Sequence, residues 1–394
     1  MKQTFKLLLC ASVLFSAASC GKDFVDSDYN GPTTEEPNVE PEEPETPEEP
    51  EVEEPTIVYN TYLYTLNSGS YTGNNASLTA YNPETETTTA DIFSDMNGQA
   101  LGDTAQDFVV LGEQIFISVY NSGVIFVTDL EGTIITTITD TTYAYPRYLA
   151  TDEESVYVSF YDGAVGKIDP ETYALTTVAI DAPGAPEELD TVGGLIYVAV
   201  SDYGYGNEQS VVSVFDTELA FVENVAVIEN PTTLEVDSEG NVYVISMGNY
   251  GYGDPAVYAT LQKIEAETHE VSTLSISGVE DALPSAIAVG KDDVLYVIEG
   301  VSNASTSWQM IGDIYAYDAA TGDVTEFITD DTSVPTLYSI STDVASGEVY
   351  AGSSDYYSTG DVYLFSAEGA LVTTVPVGVN PMKSIVVEIA TIEE

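Results

Sequence analysis

The chain has 394 residues, with 66 Asp and Glu against 8 Lys and Arg, and its formal net charge is −58. It lacks the basic surface that nucleic acids and anionic membrane surfaces require, so both are excluded as partners. Its two cysteines, Cys10 and Cys20, lie in the first twenty residues, and His269 is its only histidine. This argues against disulfides, against thiolate or histidine metal clusters and against His-dependent hydrolytic triads.

The amino-terminal segment, residues 1–19, has the features of a bacterial signal peptide. Lys2 and Lys6 precede a largely apolar run, and small residues stand directly before Cys20. The apolar run is too short for a comfortable transmembrane span, so we expect processing of the leader and lipidation of Cys20. Membrane contact would then occur through this lipid anchor only. The alternative is cleavage nearby and secretion as a soluble protein.

Residues 20–55 form the predicted tether. Residues 32–55 contain seven Pro and eleven Glu in 24 positions, a composition that cannot form a core. Charge repulsion and fixed proline φ angles keep such a segment extended, over roughly 70 Å in a polyproline II conformation. We interpret it as a disordered spacer, with a specific docking peptide as the alternative. The segment GKDFVDSD, directly after Cys20, resembles the acidic signal that directs lipoproteins of Bacteroidetes to the outer face of the outer membrane.

A recurring strand with a central aromatic residue organises residues 56–394, the third predicted domain. Its copies are YLYTL, QIFIS, SVYVS, LIYVA, NVYVI, VLYVI and EVYAG. A second alternating segment follows each copy, and prolines open a further one at positions 146, 186, 231, 284, 335 and 381. The central aromatic residues, which recur about every 48 residues, are Tyr64, Phe116, Tyr157, Tyr197, Tyr243, Tyr296 and Tyr350. Four short strands in a repeat of this length are typical of a propeller blade, so the sequence predicts an all-β, seven-bladed β-propeller.

The phase of the repeats predicts how the ring closes. The domain begins on the second strand of a blade, at residues 62–66, and ends on a first strand, at residues 382–388. The C-terminal strand is therefore expected to join the first blade, which removes exposed sheet edges. A ring of small blades also allows one domain of this length without a single large core.

The loops between second and third strands are long, rich in aromatic, amide and acidic residues, and expected on the same side as the inter-blade loops. Functional residues on a rigid scaffold concentrate in such loops, and large amphipathic rings suit a recognition surface. Packing within the loops is the alternative role for the tyrosines. The candidate ligand-binding residues are Tyr71, Asn97, Asp103, Gln106, Asn121, Tyr143, Tyr145, Arg147, Asp202, Tyr203, Tyr205, Tyr250, Tyr252, Asp254, Trp308, Tyr356 and Tyr357.

The sequence contains no convincing catalytic or metal motif. Two GYG strings are not followed by a helix, so they do not indicate phosphate-binding loops, and no G-x-S-x-G motif occurs. His269 lies in a predicted turn at the edge of its blade, where we expect it to be exposed to solvent. Asp202, Asp254 and Asp355 are loop carboxylates of the type that binds Ca²⁺, but no D-x-D-x-D-G loop supports a calcium site. We therefore expect no cofactor, no metal and no catalytic residue.

Four segments carry a resemblance to a known family: NGQALGDTAQDF, NSGVIFVTD, YPRYL and SDYYSTGDVYLFSAEGALVTTVPVGVNP. They resemble the YncE-like seven-bladed propellers that occur as surface lipoproteins in Bacteroidetes, and the likeness extends over residues 57–394. The group includes a lipoprotein that captures corrinoids, compounds of the vitamin B12 type, and caps an outer-membrane transporter. The resemblance therefore implies a non-enzymatic lipoprotein on the outer membrane, facing the exterior, that binds a corrinoid for delivery to a TonB-dependent transporter.

Other functions stay open at this point. A propeller that binds a glycan or a protein would carry its ligand on the same face. A calcium-dependent lactonase or lyase is the enzymatic alternative, and it needs convergent Glu, Asn and Asp side chains at the channel mouth. A structural adhesin is the third alternative. A deep pocket or a flat disc on the loop-rich face would distinguish among these functions.

Overall fold

The alternating segments of the chain form short antiparallel β-strands that group into seven sheets. The computed structural model describes residues 56–182, 184–201, 210–249, 251, 255–279, 281–302, 304–306 and 309–393. Within these residues each sheet has four strands and is one blade of a ring. The predicted all-β, seven-bladed propeller is confirmed. The signal peptide and the tether, including Cys20, lie outside the described residues.

Blades 1 to 4 contain the N-terminal half of the strands and the last strand of the chain. Blade 1 consists of β1 (Thr56–Asn67), β2 (Ser77–Asn82), β3 (Thr87–Thr89) and β28 (Pro381–Glu393). Blade 2 consists of β4 (Ala105–Leu111), β5 (Gln114–Val119), β6 (Val124–Asp129) and β7 (Ile134–Ile138). Blade 3 consists of β8 (Pro146–Thr151), β9 (Val156–Phe160), β10 (Ala164–Ile168) and β11 (Leu175–Ala179). Blade 4 consists of β12 (Ala185–Val192), β13 (Leu195–Ser201), β14 (Val211–Asp216) and β15 (Phe221–Ala226).

Blades 5 to 7 follow in chain order, with two 3₁₀ turns at Lys291–Asp293 and Ala304–Thr306. Blade 5 consists of β16 (Pro231–Val236), β17 (Val242–Ser246), β18 (Thr260–Ile264) and β19 (Val271–Leu274). Blade 6 consists of β20 (Leu283–Val289), β21 (Val294–Val301), β22 (Ile311–Asp318) and β23 (Val324–Glu326). Blade 7 consists of β24 (Leu337–Thr342), β25 (Val349–Ser353), β26 (Thr359–Phe365) and β27 (Leu371–Val379).

The two faces of the ring carry different loops. The innermost strand of each blade lines the centre, and the order within the sheet continues outward. Because the strands alternate in direction, the loops between second and third strands share one side with the inter-blade connections. We call this side the upper face; it includes residues 68–76, 120–123 and 354–358. The opposite side, with the short turns such as 130–133, is the lower face.

β1 and β28 close the ring, as the phase of the repeats predicts. They pair from Thr56 opposite Glu393 to Asn67 opposite Pro381. The hydroxyls of Thr65 and Ser384 add a buried hydrogen bond of 2.9 Å between them. β2 pairs only with the upper half of β1. The lower halves of β1 and β28 therefore form a two-stranded ribbon that extends past the blade at the lower face.

The recurring aromatic residues are core residues, as predicted. All seven are buried, with exposed fractions of 6% or less. The hydroxyls of three of these tyrosines lie at the lower end of the blade. Each donates a hydrogen bond to an acidic side chain there. Tyr157 donates to Asp152 at 2.8 Å, and Tyr243 donates to Asp237 at 3.0 Å. A buried ring is stable there because its polar atom has a partner.

A six-residue helix, α1 (Ile92–Asn97), lies between β3 and β4. The carboxylate of Asp91 accepts a hydrogen bond from the backbone N–H of Ser94 at 3.2 Å, and Gly98 ends the helix with a φ of 63°. Only a residue such as glycine adopts this left-handed conformation at little cost. Phe93 is buried in the core between blades 1 and 2. No helix in the described part of the chain is long and apolar enough to cross a membrane.

The expected position of Asn97 on the loop-rich face is wrong. Its amide donates to the carbonyl oxygen of Gly132 at 2.8 Å, and its amide oxygen accepts from the N–H of Ile134 at 2.9 Å. Both partners belong to the turn and strand at the lower face of blade 2. The helix carries Asn97 to that side before the chain rises to β4, so this residue joins two blades and does not reach the upper face.

Candidate ligand-binding channel and upper face

Five of the seven innermost strands have a proline at their first or second residue, followed by a β-bulge. Pro146, Pro231 and Pro381 are the first residues of their strands, where the missing N–H does not interrupt the ladder. The register then shifts by an extra residue, for example between Pro186 and Leu189. A bulge places two residues opposite one on the partner strand. The two residues after each proline, such as Glu187 and Glu188, therefore both line the centre of the ring.

The centre of the ring is a cavity of about 600 Å³. Side chains from all seven innermost strands line it. The upper level is formed by the first residue of each bulge, and it includes Gln106, Arg147 and Glu187. Below this level lie Lys383, which is the second residue of the bulge in β28, and Glu235, which is two residues beyond the bulge in β16. The ring therefore has a central pocket, and its upper face is not a flat disc.

An aromatic cluster surrounds an ion pair at the upper mouth of this cavity. Nε of Arg147 donates to a carboxylate oxygen of Glu187, which is 1% exposed. The guanidinium lies over the rings of Tyr120 and Tyr161, 5.5 and 5.1 Å from their centroids. Tyr145 packs on Tyr120 with ring centroids 5.4 Å apart. Cation–π contact and stacking hold a broad aromatic surface at the channel mouth.

Tyr338 and Tyr356 form a second aromatic pair on the upper side of blade 7. Their ring centroids are 5.6 Å apart in an edge-to-face arrangement, and the Tyr338 hydroxyl lies 3.4 Å from the sulfur of Met382. Tyr338 and Met382 line the cavity. This second pair thus adds aromatic side chains to the upper end of the cavity on the side of blade 7.

The interior of the cavity has more carboxylates than basic groups. Burial raises the pKa of Glu187 to about 7, and the charge of Arg147 offsets this only in part. Burial and the neighbouring carboxylates also raise the pKa values of Glu188 and Glu235. Burial opposes the charged form of Lys383, but the Asp107 carboxylate at 2.9 Å, together with Glu235 and Glu188, outweighs burial and raises the pKa of Lys383.

Two of these carboxylates have a structural role. Asp107 accepts a hydrogen bond from the backbone N–H of Leu149 at 2.9 Å, and Glu188 accepts one from the N–H of Leu234 at 3.1 Å. In both cases the donor belongs to the next blade. The bulge leaves this backbone N–H group without a partner in the β-ladder, and the carboxylate is its hydrogen-bond acceptor instead.

The structure brings several predicted residues to the upper face or the channel. Tyr71 and Tyr357 are 72% and 87% exposed, and Tyr145 and Tyr356 are about half as exposed. Gln106 and Arg147 line the channel.

Three other predicted residues have partners within the fold. Asn121 donates to Asp103 at 2.8 Å, and Asp103 also accepts from the N–H of Thr72 at 2.9 Å. Tyr143 packs on Phe160 in the core between blades 2 and 3. Asp103 and Asn121 therefore connect loops, and Tyr143 is a packing residue. The remaining predicted residues lie outside the described part of the chain: Asp202, Tyr203, Tyr205, Tyr250, Tyr252, Asp254 and Trp308.

Most residues of the channel and its mouth were not predicted from the sequence. The missed residues are Tyr120, Tyr148, Tyr161, Glu187, Glu188, Asp190, Glu235, Tyr338 and Lys383. A usable signal exists in the repeated pattern of a proline, two residues and an aliphatic residue, as in PRYL, PEEL, PTTL and PSAI. The aliphatic residue packs into the blade, and the two residues between it and the proline face the channel.

His269 occupies the predicted turn, but it is not exposed to solvent as expected. Its side chain is 16% exposed because it lies against the neighbouring blade. Its ring nitrogens are 2.9 Å from Glu223 and 3.1 Å from the Tyr197 hydroxyl. His269 lies in the turn between β18 and β19, the two outer strands of blade 5, and is therefore far from the channel.

Metal-binding side chains do not cluster in the described residues. No group of three or more His, Cys, Asp or Glu there is arranged to hold a metal ion. Asp355 accepts hydrogen bonds from Ser358 and from the N–H of Tyr357 within its own turn. These hydrogen bonds lower its pKa to about 2.

Comparisons with known proteins show the fold. No protein-family model and no curated protein matches the sequence. Among solved structures, hydrazine synthase of Kuenenia stuttgartiensis is similar, with a TM-score of 0.57 and 14% identity over 73% of this chain and 95% of that chain. Virginiamycin B lyase from Staphylococcus aureus has a TM-score of 0.54 and 14% identity over 71% and 87%. A structure of U3-55K has a TM-score of 0.53 and 13% identity over 71% and 84%. These proteins have different functions, so the similarity concerns the propeller alone.

Proposed function

We propose that this protein is a non-enzymatic, lipid-anchored propeller of the cell surface that captures a ligand at the upper mouth of its channel. The observation that carries the proposal is the aromatic cluster of Tyr120, Tyr145 and Tyr161 around Arg147. Large rings with a polar tip are typical of recognition surfaces, because they bury much area at a low cost in conformational entropy. The exposed Tyr71 belongs to a loop of the same face.

A corrinoid is the ligand that we propose. A corrin ring has a broad apolar edge fringed with amides, so tyrosine rings would stack on the edge while polar side chains pair with the amides. Gln106 at the channel mouth is a group of the second kind. The sequence looks like that of the corrinoid-capturing lipoprotein BtuG within the YncE-like group. This resemblance also supports delivery to a TonB-dependent outer-membrane transporter.

The channel chemistry supports binding over catalysis. The side chains that line the cavity include no histidine, cysteine or acidic cluster that holds a metal, within the residues the structure describes. His269 is held between two blades by Glu223 and Tyr197. The carboxylates Asp107 and Glu188 are hydrogen-bonded to the backbone of neighbouring blades. His269, Asp107 and Glu188 thus hold neighbouring blades together.

The proposal is tested by mixing the purified protein with cyanocobalamin and following the coloured ligand through gel filtration. The wild type should retain it. Tyr71→Ala combined with Tyr145→Ala should weaken binding tenfold or more, because truncating an interfacial aromatic anchor costs roughly 2 kcal/mol. Tyr59→Ala is the matched control, since Tyr59 is 62% exposed but lies on the ribbon at the lower face.

Two results would contradict the proposal. If wild-type protein elutes colourless from millimolar ligand, the corrinoid is wrong, and a glycan array becomes the next experiment. If the control variant weakens binding as much as the double variant, the ligand does not bind at the upper mouth. Thermal melting of each variant distinguishes lost binding from lost folding.

A further inference from the structure

Arg147, the only arginine in the sequence, lies at the centre of the aromatic mouth. Its guanidinium carbon is 5.5 Å from the ring centroid of Tyr120, 5.7 Å from that of Tyr148 and 5.1 Å from that of Tyr161. Tyr120 belongs to the upper loop of blade 2, and the other two tyrosines belong to blade 3. One planar cation therefore contacts rings from two blades, and such stacking distinguishes arginine from lysine.

The backbone fixes where these rings are attached, but not how they are oriented. The N–H of Tyr120 donates to the carbonyl oxygen of Thr104 at 2.9 Å, and the N–H of Tyr161 donates to that of Tyr145 at 2.9 Å. Each ring can still turn about its side-chain torsions. Tyr120 and Tyr161 are partly exposed and contact each other edge to face, with ring centroids 5.7 Å apart. The guanidinium of Arg147 contacts both rings and thereby restricts both.

Glu187 holds the guanidinium in turn. Its carboxylate accepts a hydrogen bond from Nε of Arg147 and reaches the mouth from β12 of blade 4. The side chain of Glu187 is 1% exposed, so the surrounding atoms fix its position. The carboxylate also neutralises the cation, so a ligand at the mouth meets the surface of the rings and not a free positive charge.

We infer that Arg147 and Glu187 are positioning residues of the aromatic mouth. Glu187 fixes the guanidinium, which holds the rings of Tyr120 and Tyr161 in place as a binding surface. The inference rests on the proposed capture of a ligand at this mouth. It gives Arg147 an indirect role, whereas the sequence analysis lists Arg147 among the residues that bind the ligand. Preorganised rings lose less conformational entropy on binding, so loss of either positioning residue should weaken binding without removing a contact.

The ion pair makes this positioning dependent on pH. Burial raises the pKa of Glu187 to about 7, so protonation near neutral pH removes the negative charge that holds the guanidinium. At pH 6 only about one tenth of such a carboxyl is ionised. The apparent affinity follows the fraction of protein that is competent to bind, and it should therefore be about tenfold weaker at pH 6 than at pH 8.

The other charged and titratable groups at the mouth and in the cavity are Asp107, Tyr120, Tyr148, Tyr161, Glu188, Asp190, Glu235, Tyr338 and Lys383. Burial raises the pKa values of Asp190 and Glu235, so these carboxyls titrate in the same range as Glu187. Glu187→Gln keeps all of these groups and loses only the carboxyl of residue 187. A pH dependence that wild type shows and Glu187→Gln lacks therefore belongs to Glu187.

The first experiment needs no ligand. Because the chain has one arginine, ¹⁵N-labelled protein gives a single arginine Nε–H signal in NMR spectra. In wild type this signal should shift with pH, with a midpoint near 7. At pH 8 the ring currents of Tyr120 and Tyr161 should move the Cδ protons of Arg147 upfield. In Glu187→Gln the Nε–H signal should not titrate, and the Cδ protons should move towards their position in the unfolded chain. Glu113→Gln, whose exposed side chain lies in a lower-face turn, is the control and should titrate as wild type does.

The second experiment measures the affinity for cyanocobalamin by equilibrium dialysis. Arg147→Met should weaken binding about tenfold at pH 8, because the rings lose their fixed arrangement. Added to Tyr120→Leu and Tyr161→Leu, it should cause no further loss, since Arg147 acts through these rings. Glu187→Gln should bind at every pH as weakly as wild type does at pH 6. Thermal melting of each variant separates lost binding from lost folding.

Three results would overturn the positioning role. The first is a wild-type Nε–H signal that does not shift between pH 5.5 and pH 8, and the second is one that still titrates in Glu187→Gln. The third is an additive loss for Arg147→Met and the two tyrosine substitutions, because Arg147 would then contact the ligand itself. Failure of wild type to retain cyanocobalamin contradicts the proposed ligand, and the NMR titration still supports or overturns the positioning role in that case.

Discussion

Replacing Glu187 by glutamine should change how the stability of the ring depends on pH. Burial raises the pKa of this carboxyl from 4.5 to about 7 in the folded protein. Between these two values the unfolded chain has lost the proton while the folded protein still holds it. The contribution of Glu187 to stability therefore falls as the pH rises through this interval and is constant at higher pH. At 1.36 kcal/mol per pKa unit, the loss is about 3 kcal/mol.

Glutamine has the shape of the protonated carboxyl and does not titrate. Relative to wild type, Glu187→Gln should gain up to about 3 kcal/mol in the free energy of unfolding between pH 5 and pH 8. The measurement is urea unfolding at several pH values, with the midpoint and slope recorded for both proteins. Because the other channel carboxylates are present in both, the difference between the two curves isolates Glu187.

Glu113→Gln serves as the control, since its side chain is exposed at the lower face. Its curve should run parallel to that of wild type. The reasoning would be refuted if Glu187→Gln also ran parallel to wild type from pH 5 to pH 8. That outcome would mean that Arg147 fully compensates the burial of the charge.

Two further predictions concern ring closure and the anchor. Deleting residues 382–394 removes most of β28 and exposes both β1 and the core beneath Val387, so the midpoint of thermal unfolding should fall strongly; an unchanged midpoint would contradict closure by this strand. Cys20→Ala should release the protein from the membrane fraction, and protease added to intact cells should remove the wild-type protein from their surface. Protection of the wild type in intact cells would place it in the periplasm.

Local sequence patterns determined the architecture. Alternation of apolar and polar residues sets the faces of a strand, and the aromatic residues from Tyr64 to Tyr350 mark one strand of every blade. These patterns extend over only a few residues, so they can be recognised without knowing which strands lie next to one another. The ring closure followed from the same pattern, because the phase at the two termini leaves one blade incomplete.

Asn97 shows where local patterns failed. The loop between β3 and β4 contains a capped helix whose start and end are marked by Asp91 and Gly98, but the segment is short. Its apolar residues pack under the next blade, and this packing decides that Asn97 binds Gly132 at the lower face. An Asn-Gly pair is compatible with any exposed loop, so composition alone could not indicate on which face Asn97 lies.

Only the tertiary structure determines which charged side chains meet in the channel. Arg147 and Glu187 lie on different blades, and Lys383 meets Asp107 only because the last strand returns to the first blade. Glu187 and Asp107 are unremarkable in the sequence, among 66 acidic residues. Closing the ring brings seven strands to one axis and excludes much of the water from their inward-facing side chains. This burial raises the pKa of Glu187 and leaves one of its carboxylate oxygens without a hydrogen-bond donor. Alternation within a strand fixes which side chains face the axis, but their partners come from strands far away in the chain.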